Sequence, residues 1–228
     1  MSSPLENALD LLNNLFLDYC TKIEENVQLA TQSFMKTEPK DVQRVIDNDH
    51  EIDQLEIEIE EECLQIIAMY QPLAKDLRFI IGILKMNNDL ERIGDLAVNI
   101  VRKVIIFSNQ ETSLSKQGTS FYLPEMIDET LNMLNKSIEC FIKRDPELAR
   151  EVCRLDDKVD HLKREMKVVV LSKMKESPEE IEQLTGILRN SNHLERIADL
   201  STNIAEDVIY LVEGDIIRHA RKLSDISS

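Results

Sequence analysis

The sequence has no tryptophan, only four tyrosines and six phenylalanines, and just five glycines in 228 residues. Strand-forming residues are not arranged in alternating runs, so the composition leans towards long helices. Four cysteines, Cys20, Cys63, Cys140 and Cys153, make no C-x-x-C pair and do not recur at matching places along the chain. That favours reduced, largely buried thiols in a cytosolic protein over a metal or disulfide site. The longest apolar candidate for a membrane span, around Phe79 to Leu84, is far too short. The amino terminus has neither a basic start nor an apolar stretch of signal-peptide type, so no secretion is expected. Basic residues are in deficit, 27 Lys+Arg against 43 Asp+Glu for a formal charge of -16. This argues against a nucleic-acid surface or an anionic membrane face and suits a cation or a basic protein partner. There is no Gly-rich phosphate loop, nucleophile elbow, kinase motif or nucleotidyl motif.

What the sequence does have is a stretch written twice. Asn88-Asp-Leu-Glu-Arg-Ile-Gly-Asp-Leu-Ala-Val-Asn-Ile100 returns as Asn192-His-Leu-Glu-Arg-Ile-Ala-Asp-Leu-Ser-Thr-Asn-Ile204, identical at nine of thirteen positions. On a helix of 3.6 residues per turn, Leu90, Ile93, Leu96, Ala97 and Ile100 fall on one flank, towards a core. Asn88, Glu91, Asp95 and Asn99 fall on roughly the opposite one. The same spacing in the second copy aligns Glu195 with Asp199, and Asn203 follows one turn on. A second acid pair repeats upstream: Asp49 with Asp53 matches Asp156 with Asp160.

Six prolines, Pro4, Pro39, Pro72, Pro124, Pro146 and Pro178, each precede a stretch of helical periodicity, which suits proline at a helix's first position. The expected helices span about 5–35, 40–70, 73–108, 121–143, 146–175 and 178–212, several of them about 45 Å long at 1.5 Å per residue. Asp145 and Ser177 are expected to cap two of them. Asn109 to Ser120 is polar and aperiodic and reads as a linker. The expected fold is all-α: two tandem three-helix bundles related by internal duplication, spanning 1–110 and 121–228 with 111–120 between them.

Consecutive helices of a bundle lie side by side, so Asp49 and Asp53 can approach Glu91 and Asp95, and Asp156 and Asp160 can approach Glu195 and Asp199. Four carboxylates brought within about 6 Å repel one another and raise one another's pKa unless a cation neutralises them. Oxygen donors at this spacing suit a hard cation. A single such pair is usually no more than a solvated helix face. Here the acids keep register in both halves while neighbouring charges change, Glu51 against Lys158 and Asp89 against His193, which favours a cation site; two copies of a recent duplication would also look alike without one. Arg92 and Arg196 lie about 100° round the helix from the acids, where a helix or subunit contact is as good a reading as a role at a metal. His50, His161, His193 and His219 occupy no common place in the two halves and read as surface or supporting residues. Gly94 against Ala198 marks a position that wants a small residue for packing.

A di-iron carboxylate bundle is the competing enzyme reading, but such proteins use Glu-x-x-His motifs. The residues three before the four histidines are Asp47, Lys158, Asn190 and Ile216. The chain therefore reads as a binding and regulatory protein, with a metal-dependent helical-bundle enzyme and a purely structural homodimeric bundle as alternatives.

Pro72-Leu-Ala-Lys-Asp-Leu-Arg78-Phe-Ile-Ile, running on to the first acid motif, resembles the first half of the PhoU family. Asn192 to Asp199, followed by Asn203-Ile-Ala-Glu-Asp-Val-Ile-Tyr-Leu-Val-Glu-Gly214 and Arg218-His219, resembles the second, in the right order over essentially the whole chain. The resemblance implies a cytoplasmic, non-catalytic and often dimeric negative regulator of phosphate uptake and of the phosphate regulon. It implies partners too: the nucleotide-binding subunit of a phosphate ABC importer and a sensor histidine kinase, with the membrane reached only through them. It also implies metal, iron or zinc, with manganese or magnesium as alternatives, on acid motifs that fall here at Asp49 with Asp53, Glu91 with Asp95, Asp156 with Asp160 and Glu195 with Asp199. Asn99 and Asn203 are weaker candidates.

Overall fold

A computed structural model describes residues 3–36, 39–102 and 122–214. Those residues form six long helices and no strand: α1 (Pro4–Lys36), α2 (Pro39–Tyr70), α3 (Lys75–Val101), α4 (Leu123–Lys143), α5 (Pro146–Glu176) and α6 (Ile181–Glu213), with a short 3₁₀ turn, Pro178–Glu180, before α6. The all-α, duplicated architecture expected from the sequence is what the chain adopts. The expected linker, Asn109 to Ser120, and the expected end of the third helix lie outside the described residues.

Proline opens α1, α2 and α5, where its missing N–H has no helical partner to lose. Asp145 caps α5 as expected, its carboxylate accepting from the N–H groups of Glu147 at 2.9 Å and Leu148 at 3.1 Å. Ser177 does not cap with its side chain. It is the single residue between α5 and the 3₁₀ turn, and its N–H donates instead to the Lys173 carbonyl at 2.9 Å, closing the helix before it. At the far end, Gly214 takes φ 81°, the left-handed conformation that glycine adopts without strain, and its N–H donates to Tyr210 O. No helix among the described residues is long and apolar enough to cross a membrane.

In each half, three helices pack against one another, α1 with α2 and α3, and α4 with α5 and α6. The halves are not separate beads. Helices α3 and α6 pack along each other as well, and one continuous hydrophobic cluster runs from Leu12 and Phe16 on α1 through Ile80 and Leu90 on α3 to Leu194 and Val208 on α6. Phe141 on α4 meets Phe16 edge-on at 5.0 Å between centroids and stacks with Phe79 at 6.2 Å, geometries that aromatic quadrupoles favour. Gly82 allows the close approach of α3 to α6, since a Cβ there would stand 3.3 Å from Leu211. Polar ties add register along the seam: Asn190 Nδ2 donates to Ile100 O at 3.3 Å, and Lys85 sits 3.7 Å from the buried Asp207 and over the ring of Tyr210. The two repeats are thus held in one fixed relation.

Candidate functional site

Helix α3 presents the duplicated motif as its period dictates. Leu90, Ile93, Leu96, Ala97 and Ile100 are all buried, while Glu91 and Asn99 are half-buried and Asp95 is exposed. On α2, Val45, Ile52, Ile59 and Cys63 face the core, which leaves Asp49 half-buried at the edge of the helix contact and Asp53 exposed one turn on. Gly94 lies between the two. A Cβ there would sit 3.4 Å from Asp49 Oδ1, Ile23 and Ile52, ordinary van der Waals distances. The small residue therefore brings α3 against α1 and α2 and sets Asp49 beside the acid motif, and alanine at the matching Ala198 is compatible with the same packing.

In each half, acids of the two helices act on one another: Asp49 with Asp53 and Asp95, Glu91 with Asp53 and Asp95, and Asp199 with Glu195, Asp156 and Asp160. Asp49 is pushed up to about 6, first by burial and then by Asp53 and Asp95, with His50 and Arg102 pulling weakly the other way. Glu91 is raised by burial and then by Asp95, Glu56 and Asp53. Burial and then Glu56, with Cys20, Glu91 and Asp53 further down, also push up the Tyr19 phenol on α1. Glu56 is a member that the pair pattern missed, though it lies three residues beyond Asp53 on the same helical face. Among the described residues no lysine or arginine forms an ion pair with Asp49, Asp53, Glu56, Glu91 or Asp95.

In the second half Asp199 is pushed up to about 6 by burial and then by Glu195, Asp156 and Asp160, so α5 and α6 converge in the same way. One difference stands out. Lys163 on α5 places Nζ 2.9 Å from Glu195 Oε1 and partly offsets the rise at Asp199. The register that sets Asp49 on Asp156 and Asp53 on Asp160 sets Glu56 on Lys163. It also sets Lys22 on Glu129 and Glu51 on Lys158, and both pairs are made: Lys22 with Glu51 at 3.1 Å and Lys158 with Glu129 at 2.8 Å. The change at Glu51, which in the sequence looks like drift, is a charge-reversed ion pair between the first two helices of each half.

The donor chemistry suits a hard cation, being all carboxylate with amide oxygens at Asn99 and Asn203 nearby. Convergence is the missing part: among the described residues no three His, Cys, Asp and Glu side chains are arranged to hold an ion as they stand. An ion would have to draw the exposed Asp53, Asp95 and Asp199 inwards by side-chain rotation. Of the described histidines, His50, His161 and His193 do not join the acids as a set, and His219 lies outside the described residues. His50 and His161 are exposed, and half-buried His193 is pushed down by burial and by Arg189, which favours its neutral form. Arg92 and Arg196 are exposed beside the clusters. Arg78 lies 6.0 Å from the centre of the Tyr210 ring and against Gly214, so it ties the two halves together.

Comparison with known proteins gives the same partition. The family model for the PhoU domain matches twice, over residues 16–104 and 123–208. The chain is 38% identical over 197 residues to the phosphate-specific transport system accessory protein PhoU homolog of Aquifex aeolicus, covering 86% of this chain and 87% of that one. It is 32% identical over 209 residues to PhoU homolog 1 of Thermotoga maritima, covering 92% and 89%. The crystal structure of PhoU from Pseudomonas aeruginosa superposes with a TM-score of 0.87 at 32% identity, covering 92% of this chain and 99% of that one. With both repeats matched and their helices in the same arrangement, the chain belongs to the PhoU family.

Proposed function

We propose that this protein is a non-catalytic, cytoplasmic accessory of phosphate-specific transport that restrains phosphate uptake and the phosphate regulon. In this reading a homodimer links the nucleotide-binding subunit of a phosphate ABC importer to a sensor histidine kinase. The observation that supports it most is a PhoU-family chain in which α2 with α3, and α5 with α6, each bring a matched set of carboxylates together. A metal ion, iron or zinc before manganese or magnesium, would neutralise these crowded acids and lock neighbouring helices into a surface that partners read. Asp49, Asp53, Glu91 and Asp95 would hold it in one half, and Asp156, Asp160, Glu195 and Asp199 in the other.

Two experiments test this. Deleting the gene should derepress phosphate-starvation functions; unchanged regulation and uptake in the deletion strain would sink the regulatory reading. Metal content per chain should be measured by elemental analysis after purification without chelator or metal-affinity tag, beside a variant carrying Glu91→Gln, Asp95→Asn, Glu195→Gln and Asp199→Asn. Metal in the parent and its loss in the folded variant are expected. No metal in either, even after reconstitution with iron, zinc, manganese and magnesium, returns the acids to a solvated helix face.

A further inference from the structure

A cavity of about 730 Å³ opens where the two halves meet, within the range of about 300–1,000 Å³ usual for sites that hold a ligand. Its walls are the opening turns of α1 and α3 and the closing turns of α4 and α6. Leu9, Ile142 and Val212 give it apolar surface, and Ile142 and Val212 are left 56% and 39% exposed. Glu6, Asp10 and Asp76 add acids to the lining, and Lys75, Arg78 and Arg144 add bases. The last described residue, Gly214, stands at the same wall, where a Cβ on it would lie 3.3 Å from Nη1 of Arg78. Its left-handed backbone, φ 81°, ends α6 there. Fourteen residues follow, 215–228. We propose that this carboxy-terminal segment is the occupant of the cavity, with Ile216, Ile217 and Leu223 on the apolar surface and Arg218, Arg221 and Lys222 towards Glu6, Asp10 and Asp76.

Segment and cavity match in pattern, charge and reach. At about 100° per residue, Ile216, Ala220 and Leu223 share one flank with Ile217 beside them, while Arg218, Arg221 and Lys222 share the opposite one. An apolar floor under an acidic rim suits such a pattern. Three bases against the two acids Asp215 and Asp225 give the segment a net charge of +1 with His219 neutral, in a chain that totals -16. The remainder of the chain therefore stands at -17 and attracts it. Asp215 follows Gly214 directly, which lets the first acid of the segment meet the guanidinium of Arg78 as the later bases meet the acids. From Gly214 to Leu223 the chain spans about 14 Å as a helix or about 30 Å extended, more than the breadth of a cavity of this volume. The tether also decides between occupants. A segment anchored at the cavity wall is present there at an effective concentration of about millimolar, ahead of a free partner of equal affinity.

The test is amide hydrogen exchange on the full chain, read peptide by peptide by mass spectrometry. Amides of residues 216–223 should be protected in the parent, and equally so at low and high protein concentration. Ile142→Asp, a change at an exposed side chain, should speed their exchange at least about tenfold, and so should Ile216→Asp combined with Leu223→Asp. Glu6→Lys with Asp10→Lys should weaken the protection, and adding Arg218→Glu, Arg221→Glu and Lys222→Glu should restore it. Core amides of α3 and α6 should stay protected in every variant, which shows that each one is folded. The proposal is overturned if residues 216–223 exchange as an unprotected chain in the parent, or if neither Ile142→Asp nor the two acid reversals change their exchange. Protection that disappears on dilution would assign the cavity to the segment of a second copy and overturn the proposal as well. None of these readouts depends on a metal ion, so they stand or fall apart from the reading of the acid motifs.

Discussion

The N-terminal and C-terminal halves of this chain agree where they pack and differ where they carry charge. Leu90 and Leu194 are each 1% exposed at the same place in the motif, and Ile93 and Ile197 are both fully buried. Beside them, Glu56 faces Glu91 while Lys163 faces Glu195. A buried apolar position has one good answer for its size and shape, whereas a partly exposed charged position can change sign if a partner changes with it. A duplicated fold can therefore keep its core and still give its two halves different tasks.

The largest effect is expected where the halves agree. Leu90→Ala and Leu194→Ala should each cost about 2–5 kcal/mol. Because one hydrophobic cluster runs through both repeats, each variant should shift a single urea transition of the whole chain. Two separated transitions, with only one moved by each variant, would show that the halves fold as independent units despite the α3–α6 seam.

A smaller effect concerns the acids that both halves share. In metal-free protein Asp49 and Asp199 are pushed up to about 6 from an ordinary 3.8. A carboxyl held higher in the folded state than in the unfolded one favours folding while it is protonated. Its contribution is therefore complete below about pH 4 and is lost as pH rises towards 6. Thermal melts of chelated protein should fall over that window and level off above it. Asp49→Asn and Asp199→Asn should each melt above the parent at pH 7 and close to it at pH 3.5. A parent whose melting point rises between pH 4 and 6 would contradict the crowding of carboxylates in both halves.

The smallest effect concerns the charge-reversed pair. Lys22→Glu alone should cost on the order of 0.2–1 kcal/mol, as expected of an exposed ion pair. Adding Glu51→Lys should recover most of it, since the double variant reproduces the arrangement of Glu129 with Lys158. A double-mutant cycle by denaturant titration measures the coupling. A coupling of zero would mean that the two exchanged charges do not answer each other.

Much of the fold was legible before any tertiary contact was known. The 3.6-residue period of Leu90, Ile93, Ala97 and Ile100, the prolines at Pro4, Pro39 and Pro146 and the cap at Asp145 act within one or two turns of their own helix, so sequence spacing alone carries them. The pairing of Asp49 and Asp53 with Glu91 and Asp95 was legible too, because short connections leave consecutive helices adjacent. Ser177 misled because its residue type suits a cap, while the one-residue connection gave its backbone N–H to the helix before it. Glu56 and Lys163 escaped notice because neither belongs to an i, i+4 acid pair; only the packing of α2 on α3 and of α5 on α6 shows what each one faces.

By itself, then, the sequence determined the helices, the duplication and which carboxylates share a flank, since those follow from local geometry and repetition. The tertiary structure alone decided that α3 and α6 join the halves through a common core, that the small Gly94 lets Asp49 approach the acid motif, and that Lys163 pairs with Glu195 on the α5–α6 side. Those outcomes depend on distances between residues far apart in the chain. Burial and Coulomb interaction are set by such distances and not by order along the backbone.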